Sequence, residues 1–202
     1  MNTPGKFFEP LVGYLVDVKN LATGQVSTPH SLMKLTLLNH LRKRTGSQEL
    51  IEVGTYRGVT AARCSKSFAK VYTIELSKEL HEQAKAYLAP FTNVTALQGD
   101  GMDHLKSLFE TANLQKAVVF LDGHFSGGDT AKGEVPEPGV EELKLLAKHK
   151  SKIGAIMIDD FRSFGTEPGF PSKTELINAI ESDFKDFDFT VHFDQVLLYR
   201  RK

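Results

Sequence analysis

Three aspartates in the second half of the chain follow apolar runs that predict buried strands. Asp122 ends the run Ala117–Asp122, and Asp159 and Asp160 end the run Ala155–Asp160. Strands buried on both faces of a parallel sheet have this composition. If the two strands are neighbours, the three carboxylates meet at one edge of the sheet. Their mutual repulsion then requires a cation, a proton or arginine partners.

The chemistry of these side chains limits which cation would fit. Hard oxygen ligands select Mg²⁺, Mn²⁺ or Ca²⁺, and the chain has no cysteine or histidine pair at the spacing that zinc requires. The alternative is a cluster without metal, in which Asp122 begins an Asp-Gly turn while Asp159 and Asp160 face solvent and pair with Arg162. For three acids at the ends of adjacent strands, we expect Asp122, Asp159 and Asp160 to bind a metal ion.

A second candidate site lies earlier, in the run Leu50–Cys64, which predicts a strand, a turn with two glycines and a helix. A residue without Cβ at Gly54 or Gly58 would let a ligand approach the backbone closely. The spacing does not match a dinucleotide fingerprint, because Tyr56 occupies the middle glycine position, or a phosphate-binding loop, because Val59 follows Gly58. The alternative is that both glycines serve packing alone.

Two more acids follow the next predicted strands. Glu75 ends the run Val71–Glu75, 21 positions beyond Gly54. Nucleoside-binding α/β proteins place an acid about 20 residues after the glycine turn, where it accepts hydrogen bonds from ribose hydroxyls. Asp100 lies in the turn after the third strand. Each acid has an alternative role as a helix cap. Glu75 would cap the region of the helix that begins at Ser77, and Asp100 would cap the helix that follows it.

The periodicity along the chain predicts the scaffold of these acids, an open α/β sheet. A helix over Ser31–Arg44 is expected to pack against the sheet. The other predicted elements are a strand that begins at Leu50, strands at Val71–Glu75, Val94–Gln98, Ala117–Asp122, Ala155–Asp160, Phe187–Phe193 and Val196–Arg200, and helices at Ser77–Leu88, Met102–Phe109, Val140–Lys150 and Ser172–Asp183.

Taken in this order, the motifs resemble those of a known family. The segment Glu52–Gly58, Glu-x-Gly-x-x-x-Gly, resembles the first motif of class I S-adenosylmethionine-dependent methyltransferases. Leu121–His124 and Ile158–Asp160 resemble the metal-binding positions of magnesium-dependent O-methyltransferases of the catechol and macrocin types. The resemblance covers roughly residues 50–200. It implies a Rossmann-like α/β fold: a seven-stranded, mostly parallel sheet with helices on both faces and a C-terminal antiparallel hairpin.

The resemblance also assigns expected roles to residues. One position departs from the catechol type, which has a lysine base three residues after the first metal aspartate, where this chain has Phe125. The resemblance implies S-adenosylmethionine at Glu52, Gly54, Thr55, Tyr56, Gly58, Glu75, Asp100 and Asp122, Mg²⁺ (or Mn²⁺ or Ca²⁺) at Asp122, Asp159 and Asp160, and catalytic residues among His124, Asp122 and Lys132. As an alternative, His124 hydrogen-bonds its own loop.

The reaction that the resemblance implies is displacement of the sulfonium methyl group by a hydroxyl of a small acceptor, a sugar or an aromatic compound. The ion would orient the acceptor oxygen and stabilise its negative charge. The alternative is a non-catalytic protein of the same fold that binds S-adenosylmethionine or another nucleoside. The missing lysine favours this alternative, and the retention of all three acids argues against it.

Composition restricts the partners. The 25 basic residues equal the 25 acidic ones, so no net positive charge attracts nucleic acid or an anionic membrane. A single cysteine, Cys64, and the absence of a secretory signal predict the cytoplasm, and no apolar run is long enough for a membrane span. The length predicts one compact unit, with a cap segment and helix at residues 1–45 and the methyltransferase domain at residues 46–202. A homodimer is compatible with the sequence.

Overall fold

The computed structural model of the protein describes residues 15, 16, 18–20, 22, 23, 31–123 and 139–201. The strands that carry or precede the predicted acids lie within these ranges. The candidate catalytic residues His124 and Lys132, the loop position Phe125 and most of the predicted cap segment lie outside the described residues.

A seven-stranded sheet forms the centre of the fold, in the order β3-β2-β1-β4-β5-β7-β6. The first five strands pair in parallel, and β7 pairs antiparallel with both β5 and β6. This confirms the predicted mostly parallel sheet with an antiparallel C-terminal hairpin. The strands are β1 Glu49–Val53, β2 Lys70–Glu75, β3 Val94–Gln98, β4 Ala117–Leu121, β5 Ile153–Ile158, β6 Phe187–His192 and β7 Gln195–Arg200.

The described helices agree closely with the predicted ones. Ser77 caps one helix by accepting the N–H of Leu80, and Ser172 and Glu175 form a reciprocal capping box at the start of another. None of the described helices is long and apolar enough to cross a membrane. The helices are α1 Ser31–Thr45, α2 Val59–Cys64, α3 Lys78–Leu88, α4 Gly101–Thr111, α5 Gly139–Ala147 and α6 Lys173–Asp183, with a 3₁₀ turn at Lys150–Lys152.

Two hydrophobic layers cover the two faces of the sheet, because successive strand residues point to opposite faces. Helices α1, α2 and α3 pack on one face, and α4, α5 and α6 pack on the other. The face under α1 includes Leu50, Val118, Phe120, Ala155 and Met157. The helices on both faces confirm the doubly wound architecture.

The strand order reverses between β1 and β4. The chain runs from β1 outward through β2 and β3, then returns to β4 on the other side of β1. In open α/β sheets, ligands bind beyond the carboxyl ends of the strands at such a reversal. The turn after β1 begins at Gly54 and the turn after β4 begins at Asp122. The predicted site residues therefore flank the position that the topology favours for a ligand.

Candidate functional site

The backbone beyond β4 and β5 brings two of the predicted acids side by side. Asp122 donates its N–H to the carbonyl of Val53 at 2.9 Å, and Asp159 donates its N–H to the carbonyl of Leu121 at 3.0 Å. The parallel ladder thus continues one residue past each strand. By the alternation of strand residues, Asp122 and Asp159 share the sheet face of Phe120, which is the face under α1.

Both glycines of the first turn have a left-handed backbone and lie close to neighbouring atoms. Gly54 has φ +98°, and a Cβ built there would lie 2.3 Å from the carbonyl oxygen of Asp122. Gly58 has φ +75°, and its Cβ would lie 3.1 Å from Leu88. The turns after β1 and β4 therefore touch backbone to backbone. The packing alternative accounts for both glycines, and a role in ligand binding stays a prediction.

Glu75 links the glycine turn to helix α3. Its Oε2 accepts the N–H of Tyr56 at 2.7 Å and its Oε1 accepts the N–H of Ser77 at 2.9 Å. The side chain is only 6% exposed, so its position is fixed. Each carboxylate oxygen retains a second lone pair that can accept a further hydrogen bond. The arrangement fits a ribose at the end of β2 as well as the capping alternative.

Asp100 caps helix α4, which is the alternative role predicted for it from the sequence. Its Oδ1 accepts the N–H of Met102 at 2.8 Å and that of Asp103 at 3.3 Å. Among the residues that the structure describes, Oδ2 has no hydrogen-bond partner. The cap fixes the carboxylate in the turn after β3, next to the end of β2, where Gly99 donates its N–H to the backbone carbonyl of Glu75.

Glu52 lies beneath the glycine turn and not on its surface. It is 1% exposed, and its Oε2 accepts the hydroxyl of Thr73 at 2.6 Å. Thr73 in turn shares a 2.6 Å hydrogen bond with the hydroxyl of Thr55. Burial, aided by the charge of Glu75, raises the pKa of Glu52 to about 7, against the opposing effects of Thr73 and the Lys34 ammonium. The structure therefore places Glu52 and Thr55 as supports of the turn.

Glu52→Gln is expected to remove a pH-dependent loss of stability. Folded Glu52 keeps its proton up to about pH 7, whereas the unfolded chain releases it near 4.5. The folded chain thus binds more protons in this window, and its free energy of unfolding falls as pH rises through it. The protonated Glu52 side chain thus contributes fully to the free energy of unfolding below pH 4.5, and this contribution is lost above pH 7. At 1.36 kcal/mol per pH unit, the loss is up to about 3 kcal/mol.

Urea denaturation of both proteins at pH 5 and pH 8 measures this effect. The stability of the variant relative to the wild type should improve at pH 8. Glu49→Gln serves as a control, because Glu49 begins the same strand and accepts a backbone N–H from Gln115 at 3.2 Å. An identical pH dependence in the wild type and Glu52→Gln would contradict the assignment.

A lysine that the sequence analysis did not single out lies between two of the predicted metal ligands. Lys34 Nζ donates to Asp122 Oδ2 at 2.6 Å and lies 2.5 Å from Asp159 Oδ2. The three side chains are 16%, 21% and 4% exposed, respectively. The ammonium also lies 5.4 Å from the centre of the Phe120 ring, and Gln195 Nε2 donates to Asp159 Oδ1 at 3.2 Å.

The close contacts shift the ionisation of all three groups. Burial alone would lower the pKa of Lys34, but both carboxylates outweigh it and raise that pKa. Burial and the charge of Asp159 raise the pKa of Asp122 well above its ordinary value, against the opposing Lys34. For Asp159, Lys34 and the hydrogen bond with Asp122 overcome burial and lower the pKa to about 2. The lysine is thus held charged, and the pKa of Asp122 lies above that of Asp159.

Asp160 does not join Asp122 and Asp159, so the structure brings together two of the three predicted metal ligands, and their role in metal binding stays a prediction. Its backbone is left-handed, with φ +53°, and its Oδ1 lies 3.0 Å from Arg162 Nη1. Arg162 also pairs with Asp194. The alternative predicted for Asp160, an ion pair with Arg162, is therefore confirmed.

The described residues do not fit a divalent ion as arranged. Among them, no group of three histidine, cysteine or acidic side chains could hold a metal. The ammonium of Lys34 already lies between Asp122 and Asp159. The sequence signal for this contact was the position of Lys34 on the buried stripe of helix α1. Lys34 precedes the buried residues Leu37, Leu38 and Leu41 by three, four and seven residues.

Comparison with solved structures identifies the fold. TomG from Streptomyces achromogenes, an O-methyltransferase solved with S-adenosylmethionine, superposes with a TM-score of 0.60 at 18% identity over 94% of this chain and 89% of that chain. An O-methyltransferase from Bacillus cereus, solved with S-adenosylhomocysteine, gives 0.61 at 16% identity over 100% and 93%. The chain has the class I methyltransferase fold. The resemblance in motif order is thus confirmed at the level of the fold.

The sequence comparison gives a different subtype for the same fold. Protein-L-isoaspartate O-methyltransferase 2 from Nitrosococcus oceani is 37% identical over 144 residues, 70% of this chain. The aligned region spans 60% of the length of that relative. No protein-family model matches the chain. Both comparisons lead to methyltransferases; the name of the Nitrosococcus relative specifies L-isoaspartate in proteins, whereas the names of the two solved structures specify O-methyl transfer without an acceptor.

Proposed function

We propose that this protein is an S-adenosylmethionine-dependent methyltransferase that methylates a hydroxyl of a small acceptor, a sugar or an aromatic compound. The observation that carries the proposal is the partly buried carboxylate of Asp122, held at the reversal of strand order directly beside the Gly54 turn. The class I methyltransferase fold and the fixed carboxylate of Glu75 support it.

The described turns offer groups that fit the cofactor. Glu75 has lone pairs available for ribose hydroxyls at the end of β2. Asp100 and the turn after β3 lie next along the same edge and would border the adenine. When bound, S-adenosylmethionine supplies an electrophilic methyl group. Asp122, on the other side of the Gly54 turn, is then placed towards the acceptor.

Asp122 can take up the proton that a hydroxyl loses when its oxygen forms a bond to the methyl carbon. The bond between that carbon and the cofactor sulfur breaks, and the sulfur keeps the electron pair. Burial makes an ionised Asp122 a stronger base than an ordinary aspartate. Lys34 fixes the orientation of the carboxylate through its 2.6 Å hydrogen bond. These steps need no metal ion.

A second candidate is methylation of a carboxylate, which the name of the Nitrosococcus relative supports. A carboxylate acceptor is already ionised and needs no base. It would also meet two carboxylates, Asp122 and Asp159, that a single ammonium offsets. Like charges at close range oppose binding, so the charge of this site favours a neutral hydroxyl. A non-catalytic S-adenosylmethionine-binding protein is the remaining alternative.

Glu75→Gln tests the cofactor assignment. The variant keeps the size of the side chain but loses its charge and one acceptor oxygen, and hydrogen bonds to charged groups contribute about 1.5–3 kcal/mol. We expect S-adenosylhomocysteine to bind about 10- to 100-fold more weakly in isothermal titration calorimetry. Glu49→Gln, at the opposite end of the sheet, should bind like the wild type. Equal affinity in all three proteins would remove Glu75 from the cofactor site.

Asp122→Asn distinguishes the two acceptor classes. Methyl transfer to hydroxylated sugars and catechols should fall about 100-fold, the typical contribution of a general base, while S-adenosylhomocysteine binding persists. Transfer to an isoaspartyl peptide, measured by mass spectrometry, would not require the base. If the wild type methylates only the peptide and Asp122→Asn retains that activity, carboxyl methylation is the correct function. Cofactor binding without transfer to any acceptor would support the non-catalytic alternative.

A further inference from the structure

The Lys34 ammonium occupies the position at which a divalent ion would bridge the carboxylates of Asp122 and Asp159. It contacts one oxygen of each, Asp122 Oδ2 and Asp159 Oδ2, at 2.6 and 2.5 Å. Carboxylate oxygens bind Mg²⁺ at 2.0–2.1 Å and Ca²⁺ at 2.3–2.6 Å. An ion bridging the same oxygens would therefore lie in close contact with the ammonium, and the two positive charges would repel each other.

The remaining ligand positions are also in use. Asp159 Oδ1 accepts a hydrogen bond from Gln195 at 3.2 Å, so both oxygens of Asp159 have partners. The third predicted ligand, Asp160, pairs with Arg162 at 3.0 Å. A divalent ion would have to displace Lys34 and would still find fewer carboxylates than the predicted three.

Packing of helix α1 fixes the position of Lys34. Leu37, Leu38 and Leu41 follow it on the same side of the helix and are buried against the sheet. The ring of Phe120 lies 5.4 Å from Nζ. The ammonium is thus held by a helix anchored in the core, unlike that of a lysine on an exposed surface. Withdrawing it would leave two neighbouring carboxylates without their cation.

We propose that Lys34 is the built-in cation of this site and takes the place of a divalent metal ion. Lys34 is a positioning residue: it neutralises Asp159 and orients Asp122. Methyl transfer should then be independent of Mg²⁺ and insensitive to chelators; this consequence rests on the proposed function. The exclusion of metal by Lys34 does not depend on it, because it follows from the charges and contacts of the site alone.

Titration with MnCl₂, followed by electron paramagnetic resonance without cofactor or acceptor, tests the proposal. Wild type, Lys34→Arg and the control Lys43→Met, an exposed lysine on the same helix, should show no specific Mn²⁺ site. Lys34→Met should gain one site with a Kd on the order of 10⁻⁴–10⁻³ M, the range of weak carboxylate sites. Adding Asp159→Asn to Lys34→Met should abolish that site.

Two results would overturn the proposal. One is stoichiometric Mn²⁺ binding to the wild type that Asp159→Asn removes, since the ion would then displace Lys34. The other is a folded Lys34→Met protein that gains no site. If Lys34→Met does not fold, the wild-type titration decides alone. In that case, the absence of Mn²⁺ binding that depends on Asp159 supports the proposal. A failure of the proposed function would show separately, as absent S-adenosylhomocysteine binding.

Discussion

Gly54→Ala is expected to destabilise the protein by about 2–5 kcal/mol. The left-handed φ of +98° is unfavourable for alanine by about 1–2 kcal/mol. The added Cβ would also lie 2.3 Å from the carbonyl oxygen of Asp122 and 2.6 Å from its carbonyl carbon. Both are backbone atoms, so relief requires the turns after β1 and β4 to separate, and overpacking of this kind costs about 1–3 kcal/mol.

Urea denaturation measures the loss, and Gly46→Ala is a matched control. Gly46 also has a positive φ, +72°, but a Cβ there meets nothing within 4 Å. Its replacement should therefore cost only the conformational part, about 1–2 kcal/mol. If the two variants lose the same stability, the contact with Asp122 is not the reason for glycine at position 54. A displaced Asp122 should also reduce methyl transfer in whatever Gly54→Ala protein remains folded.

The elements of this fold were predictable because their signals are local. Apolar runs such as Ala117–Leu121 predict buried strands, and they form the centre of the sheet. Ser77, Asp100 and Ser172 mark helix starts within three residues of the N–H groups that they accept. The bounds of these elements depend on neighbouring residues in the sequence, so the sequence alone determines them closely.

The chemistry of the acid cluster was not predictable in the same way. Lys34 and Asp122 are 88 positions apart, and their contact depends on how helix α1 packs across the sheet. Periodicity predicts that the helix buries a stripe, but not which polar group meets the end of that stripe. The divergence of Asp160 depends on one left-handed residue after β5, which no spacing in the sequence indicates. Three acids in the right order thus predicted a metal site, and in the structure all three form ion pairs, Asp122 and Asp159 with Lys34 and Asp160 with Arg162.

Lys34→Met is expected to destabilise the protein by about 3–5 kcal/mol, the typical loss when one partner of a buried ion pair is removed. Methionine matches the length of the lysine side chain, so packing near Phe120 changes little. What remains is Asp159, 4% exposed, beside Asp122 and without its cation. Lys43→Met, on the exposed side of the same helix, should change stability by less than about 0.5 kcal/mol.

A double-mutant cycle with Asp159→Asn separates the charge effect from a packing effect. In Lys34→Met/Asp159→Asn the uncompensated charge of Asp159 is gone, so the double variant should be more stable than Lys34→Met alone. The coupling energy from urea denaturation should lie between about 1 and 3 kcal/mol, as for residues in one salt-bridge network. Additive losses would mean that Lys34 stabilises the fold through its aliphatic chain. Coupling would instead show that the ammonium holds the two strand ends together, the arrangement that metal-free positioning of Asp122 requires.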